Sequence, residues 1–421
     1  MTIEFGESLG PGARRGRHAP LPWFDVRDDQ VVLGGRTLSE LARQVGRTPF
    51  YAYDRAVIDR KLGQLRAALP AGMHVRYAVK ANPLPEIIAY LSARTDGLDV
   101  ASAGELRAAL AAHCAADRIS FAGPGKTADE LRLAVEQGIL INVESERELQ
   151  TLCAMARARS KRPRIALRIN PDFELKASGM KMGGGSKPFG VDAEQAPALL
   201  RSLHGLPVEF VGLHIFSGSQ SLQAQAVIEA QASAVALAVR LAKDAPAPMR
   251  ELNLGGGFGV PYFPGERPLE LAPIAQNLAT LAQTCGHTLP QARLILELGR
   301  YLVGESGLYV CRVLDRKVSR GQTFLIVDGG LHHHLAASGN FGQVIRRNFP
   351  VFVGNRVRGG EREVVNVTGP LCTPLDILAE QMEMARADVG DLIVVAQSGA
   401  YGLSASPVGF LQHPLPAEIF V

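Results

Sequence analysis

At 421 residues, 47% of them hydrophobic and 20% charged, the chain can bury one large domain plus a smaller one and is too apolar to stay disordered. Its net charge of +4 is too mild to mark a nucleic-acid binder; the clusters Arg14-Arg15-Gly16-Arg17-His18 and Lys161-Arg162-Pro163-Arg164 lack interleaved aromatics and read as solvated surface. Five scattered cysteines without metal-ligand spacing, no apolar leader and no run of ~18 apolar residues lead us to expect reduced thiols, a cytoplasmic location, no membrane span and no metal.

Residues 22–50 alternate apolar and polar like short strands, and a helix-like stretch, Arg55–Leu69, follows. Eight short apolar, β-prone runs come next: 75–80 (VRYAVK), 97–101, 119–123, 139–143, 164–169, 210–216 (FVGLHIF), 251–256 (ELNLGG) and 294–299 (LILELG). Between them lie Ala-, Leu-, Glu- and Gln-rich stretches such as Ala103–Ala115, Ala128–Gln137 and Ser221–Lys243. Near-continuous apolar strands separated by helices predict a parallel sheet covered on both faces. Eight units within about 250 residues predict an α/β fold, a (β/α)8 TIM barrel over residues 46–304 with Arg55–Leu69 as its eighth helix. A doubly wound open sheet has the same strand signature. The turn-rich stretch Glu174–Gly190 reads as a mobile loop above the barrel. Beyond residue 305, YVCRVLDRK, QTFLIVDGG, REVVNVTG, DLIVVAQSG and AEIFV predict a C-terminal β domain, a sandwich or barrel that also takes in residues 1–45.

In a barrel, reactive residues sit where strands end. Lys80 ends the first strand with no acidic residue beside it in the sequence, and Asp99, Arg168, His214 with Phe216, Gly255-Gly256-Gly257 and Glu297-Leu298-Gly299-Arg300 end others. Glycine-rich turns after strands seven and eight let backbone N–H groups approach a phosphate, and Arg300 adds a cationic fork. A buried Glu297–Arg300 pair is the structural alternative. An amine, a phosphate cradle and a carboxylate at one mouth are together what pyridoxal phosphate requires.

The motifs YAVKANP, LDVASAGEL, SGSQ, LGGGFG, ELGRYLVG, GPLC…D and SGAYG resemble, in order and spacing, the fold-type III pyridoxal-phosphate decarboxylases, the diaminopimelate and ornithine decarboxylase group, over residues 45–421. The resemblance implies an alanine-racemase-like barrel, a C-terminal β domain, pyridoxal 5'-phosphate as cofactor, and a homodimer with shared active sites. It makes Lys80 the lysine that condenses with the cofactor aldehyde and Glu297 the partner of the pyridine nitrogen. Ser219, Gly256, Gly257, Gly299, Arg300 and Tyr401 would hold the phosphate, with Asp99, Arg168, His214 and Phe216 around the ring. Cys372 matches the cysteine that reaches across the dimer to return a proton after CO2 leaves.

Two positions depart from the pattern. Phe216 stands where the group has a histidine that stacks on the cofactor; it can stack but cannot move a proton. Thr373 stands where diamine-producing members carry Asp or Glu, so the substrate contacts expected are Thr373, Tyr401 and, as a substitute carboxylate, Asp376. HIFSGSQ with GPLCTPLD looks closest to the exosortase A system-associated pyridoxal-dependent decarboxylases and to enzymes acting on carrier-bound glutamate. The resemblance therefore implies α-decarboxylation of an amino acid with an uncharged or acylated side-chain end, carried or free, in an exopolysaccharide or secondary-metabolite pathway. The alternatives are a decarboxylase of free diaminopimelate, lysine or ornithine, an amino-acid racemase, and a silent binding homologue. His332-His333-His334 cannot all face one ion from a strand, and they read as a loop near the substrate rather than a metal site.

Overall fold

A run such as Ile119-Ser120-Phe121 has no outward polar face, and all three residues are buried. Parallel strands flanked by helices provide the cover it needs. The computed structural model describes residues 2–9 and 16–421. It contains β1 (His74–Ala78), β2 (Gly97–Val100), β3 (Ile119–Phe121), β4 (Leu140–Val143), β5 (Arg164–Asn170), β6 (Glu209–Ile215), β7 (Glu251–Asn253) and β8 (Arg293–Leu298). Each strand pairs in parallel with the next, and β8 pairs with β1, so the sheet closes. The (β/α)8 barrel is therefore the fold, and the open sheet is excluded.

Helices alternate with the strands: α1 (Pro85–Ser92), α2 (Ala103–Ala111), α3 (Ala128–Gln137), α4 (Glu146–Arg159), α5 (Ala196–Ser202), α6 (Ala224–Leu241) and α7 (Leu271–Thr288). Helix α3 shows why its limits were legible. Thr127 and Glu130 form a reciprocal capping box, and Gly138 ends the helix in the left-handed conformation at φ 71°. Glycines inside strands mark close approaches. A Cβ on Gly212 would run into the Glu251 carbonyl, and the β5–β6 register slips by one residue between Phe210 and Gly212.

The chain divides into two compact units: Gly63–Gly259 with Leu269–Gly299, and Met1–Leu62 with Val260–Pro268 and Arg300–Val421. The first is the barrel. In the second, β9 (Gly307–Ser319), β10 (Gln322–Val327), β11 (Val351–Val353), β12 (Arg362–Thr368), β13 (Ile377–Ala385) and β14 (Leu392–Val395) form a mixed sheet in the order β11-β14-β9-β10-β12-β13. The strand Phe50–Tyr53 pairs with β9 and with β15 (Ala417–Phe420), so strand pairing draws residues 50–53 out of the segment assigned to the barrel from sequence.

Several local expectations change. Strand β13 (ILAEQMEMA) is built from helix-favouring residues, yet antiparallel pairing with β12 holds it extended. Residues 22–50 include a helix, Leu38–Val45, with a Thr37–Glu40 capping box and Gly46 as its left-handed cap. Within Glu174–Gly190, Ser178–Lys181 is a strand paired antiparallel with Gly218–Ser221, not an open loop. Arg14 and Arg15 lie outside the described residues, and His18 of the same cluster is buried, its Nε2 2.9 Å from the Asn348 carbonyl. Among the described residues no helix is long and apolar enough to cross a membrane.

A buried ion pair ties β1 to β7: Arg76 Nη2 lies 2.7 Å from Glu251 Oε2, with Arg293 of β8 at 3.3 Å from Oε1. Removing one partner leaves a desolvated charge. The substitution Glu251→Ala is expected to lower stability by about 3–5 kcal/mol, read as a shift in the urea unfolding midpoint.

Candidate active site

Strand β1 ends at Ala78, and Lys80 lies on the one-turn 3-10 helix Val79–Ala81 that follows. The β8–β1 pairing sets this turn beside the end of β8. A Cβ on Gly299 would press on Ala81 Cβ at 2.7 Å, so glycine permits the approach. Lys80 Nζ lies 4.0 Å from Glu297 Oε1; the lysine side chain is 42% exposed and the carboxylate 5%. The lysine side chain is thus part-exposed while its counter-charge is buried.

Glu297 is gripped on several sides. Asn253 Nδ2 donates to its Oε2 at 3.0 Å, and His214 Nε2 stands 3.4 Å from the same oxygen without forming a hydrogen bond. Burial alone would raise this carboxyl, but His214, Lys80 and hydrogen bonds with Asp99 and Asn253 bring it down to about 2. Burial lowers His214 itself to about 4, so the ring is neutral at pH 7. At that pH Lys80 and the hydrogen bonds keep Glu297 ionised. Asp99 on β2 accepts from Ser120 Oγ at 2.9 Å, while burial and the Glu297 charge push its carboxyl well above the usual range. The two neighbouring carboxyls are thus driven apart, Asp99 upward and Glu297 downward.

Arg168 on β5 is fixed by Glu144 at the end of β4, Nη1 to Oε1 2.8 Å, and lies over the Phe189 ring at 5.1 Å. Glu144 also accepts from the Gly123 and Gly190 amides at 2.5 and 3.1 Å, which joins three loops at this carboxylate. Phe216 follows β6 and packs on Gly255, where φ is +67° and a Cβ would enter the ring. The turn carrying Gly218 and Ser219 runs beside the glycine loop: Ser221 N donates to Gly257 O, and Gly259 N to Ser221 O, each at 2.9 Å. A Cβ on Gly256 would strike the Glu297 carbonyl, so this loop lies directly on β8. The barrel therefore gathers Lys80, Asp99, Arg168, His214, Phe216, Ser219, Gly256, Gly257, Glu297 and Gly299. Asn253 and Glu144 were not foreseen. Their signal was position alone, Asn253 within the predicted run 251–256 and Glu144 just after the run 139–143.

In the second unit, Arg300 donates from Nη1 to Tyr262 Oη at 3.2 Å and lies over the rings of Tyr262 and Tyr401, at 5.4 and 4.5 Å. Its ion pair with Glu297, the alternative raised from sequence, is not formed among the described residues. Cys372 is exposed, whereas the other four cysteines are buried. Asp376 is held by two backbone amides. Its Oδ1 accepts from Leu331 N at 2.6 Å and its Oδ2 from Leu371 N at 2.9 Å, and the side chain is buried. Both oxygens organise the loop, each giving one acceptor site to a backbone amide. The Thr373 hydroxyl accepts from Leu375 N at 3.3 Å.

The three histidines are wholly buried rather than set in a substrate loop. His334 Nδ1 accepts from Ala337 N at 3.2 Å and its Nε2 meets Ser398 Oγ at 2.9 Å, which ties the triplet to the Ser398–Gly402 motif. No group of three His, Cys, Asp or Glu among the described residues could hold a metal.

Pyridoxal phosphate fits these residues by two features of the barrel. Gly255, Gly256 and Gly257 let their loop lie against Phe216, the Glu297 carbonyl and the Gly218 carbonyl, where added Cβ atoms would collide. The buried Asp99 Oδ2 and both His214 nitrogens have no hydrogen-bond partner, and they flank Glu297. A closed barrel with an amine above a buried carboxylate and a glycine cradle beside it defines a pyridoxal-phosphate enzyme of the alanine-racemase fold. Residues 55–304 match the family described as pyridoxal-dependent decarboxylase, pyridoxal binding domain, and the chain belongs to it. It is 40% identical over 378 residues to the L-glutamyl-[BtrI acyl-carrier protein] decarboxylase of Niallia circulans, covering 88% of each chain. It is 33% identical to the diaminopimelate decarboxylase of Aquifex aeolicus, covering 95% of this chain and 92% of that one. The crystal structure of diaminopimelate decarboxylase from M. jannaschii with L-lysine superposes with a TM-score of 0.87 at 25% identity, over 95% of this chain and 93% of that one.

Burial lowers His18, His214 and His333 to about 4, and His332 and His334 to about 3. The folded chain refuses protons that the unfolded chain accepts near pH 6.5, so stability is full above that pH and falls as pH drops toward 4. Burial also raises the Asp99, Glu105, Glu148, Glu266, Asp328 and Asp376 carboxyls, and these oppose the histidines as pH falls. Unfolding midpoints between pH 7 and 5 are expected to decline, by up to about 1.4 kcal/mol per histidine per pH unit.

Proposed function

We propose that this pyridoxal-phosphate decarboxylase acts on an amino acid whose side-chain end is uncharged or acylated, with glutamate joined to a carrier protein as the leading case. Lys80 above the buried, ionised Glu297 is the observation that carries the catalytic reading. For the substrate, the support is Asp376, whose oxygens are both engaged by backbone amides, together with the neutral Thr373 beside the exposed Cys372. A buried distal ammonium left without a carboxylate would cost several kcal/mol, on the order of 3–5. The relative at 40% identity acts on a carrier-bound glutamyl group.

When bound, pyridoxal 5'-phosphate supplies the electron sink that lets an α-amino acid lose CO2. In our reading Lys80 would hold the cofactor through its amine, which could also move a proton. Glu297, ionised, would accept a hydrogen bond from the ring nitrogen. The amides of Gly256, Gly257 and Gly299, with Ser219, Arg300 and Tyr401, would hold the phosphate. Phe216 would stack without exchanging protons, while Asp99, Arg168 and neutral His214 would frame the ring. The enzyme works as a cytoplasmic homodimer, in which the partner subunit's Cys372 returns a proton to the α carbon. A place among exosortase-associated relatives fits the same motifs.

Purified protein is expected to show a visible cofactor band that Lys80→Ala abolishes. CO2 release should be strongest with carrier-loaded glutamate and low with free lysine, ornithine or diaminopimelate; equal release from free lysine would overturn the substrate assignment. Cys372→Ala is expected to slow turnover by about 10²- to 10⁴-fold while leaving the band in place. Mixing it with Lys80→Ala should restore activity if the sites are shared between subunits.

A further inference from the structure

Asn253 ends β7, is 4% exposed, and makes two hydrogen bonds in opposite directions. Its Nδ2 donates to Glu297 Oε2 at 3.0 Å, and its Oδ1 accepts from Gly255 N at 2.8 Å. The orientation of the amide is forced, since a carboxylate can only accept and a backbone N–H can only donate. Gly255 in turn accepts from Glu297 N through its carbonyl at 2.8 Å, so the glycine loop and β8 are joined at both levels. Gly255 sits at φ +67° against the Phe216 ring, where no other residue fits, and the Asn253 side chain holds that turn closed.

We propose that Asn253 is a positioning residue that couples the carboxylate beneath the cofactor ring to the glycine turn that receives its phosphate, so that neither end is set independently. The inference rests on the decarboxylase reading and adds a residue to it. Aspartate here could still accept from Gly255 N but would present an oxygen to Glu297 in place of a donor. Alanine would do neither. The charged and titratable groups facing Glu297 are Lys80 from the turn after β1, Asp99 from β2 and His214 from β6, with the Arg168–Glu144 pair beyond His214. Asn253 does not titrate, and its direction is fixed by its two partners.

The test titrates parent, Asn253→Ala and Asn253→Asp with pyridoxal 5'-phosphate and with pyridoxal, following the bound absorbance across pH, with circular dichroism as a check on folding. Asn253→Ala is expected to weaken pyridoxal 5'-phosphate binding by about ten- to a hundredfold and to narrow its preference over pyridoxal. Asn253→Asp is expected to keep that preference but to move the pH midpoint of the bound absorbance by about one unit. Variants that match the parent in both readouts would overturn the inference. A change in Asn253→Ala alone would also overturn the coupling, leaving a turn-forming role only. If Asn253→Ala does not fold, the pH midpoint of Asn253→Asp decides. A parent that binds no pyridoxal 5'-phosphate would instead strike the decarboxylase reading itself.

Discussion

A carboxylate buried at the end of a barrel strand must be compensated, because desolvation of an isolated charge is far larger than the stability of a domain. Glu297 meets that requirement with Lys80 at 4.0 Å and the Asn253 amide at 3.0 Å. Each compensating group comes from a different strand, so the arrangement exists only when the sheet is closed.

The loops around this charge obey a steric rule rather than an electrostatic one. Gly255, Gly256 and Gly299 lie where a Cβ would enter the Phe216 ring, the Glu297 carbonyl or Ala81. Removing those Cβ atoms lets backbone amides and strand ends approach closely. Together the glycines and the buried acid form a cradle with a negative floor, suited to a cationic ring nitrogen and an anionic phosphate at separate points.

The second unit shows how a motif can be correct in place and different in use. Asp376 falls where the sequence pattern puts an acid, but two backbone amides take both of its oxygens. The histidine triplet follows a strand, as a substrate loop would, yet its rings are buried and neutral, and His334 ties into Ser398. In both cases the residue type was legible and its partners were not, since those partners lie dozens of residues away in the chain.

Much of the barrel was readable because buried parallel strands are written as continuous apolar runs, and helices such as α3 carry their own caps. The site residues at strand ends were readable for the same reason, as a barrel sends every strand end to one face. Strand β13 was not, because its Ala, Glu, Gln and Met side chains favour a helix and only pairing with β12 holds it extended. Nor were Asn253 and Glu144, ordinary polar residues whose importance lies in what they touch. By itself the sequence determined the order of strands, the lysine, the acid and the glycines, because these are local patterns of polarity and backbone freedom. The tertiary structure alone decided which carboxyl is pushed up and which is held down, because charge compensation acts between strands that only closure brings together.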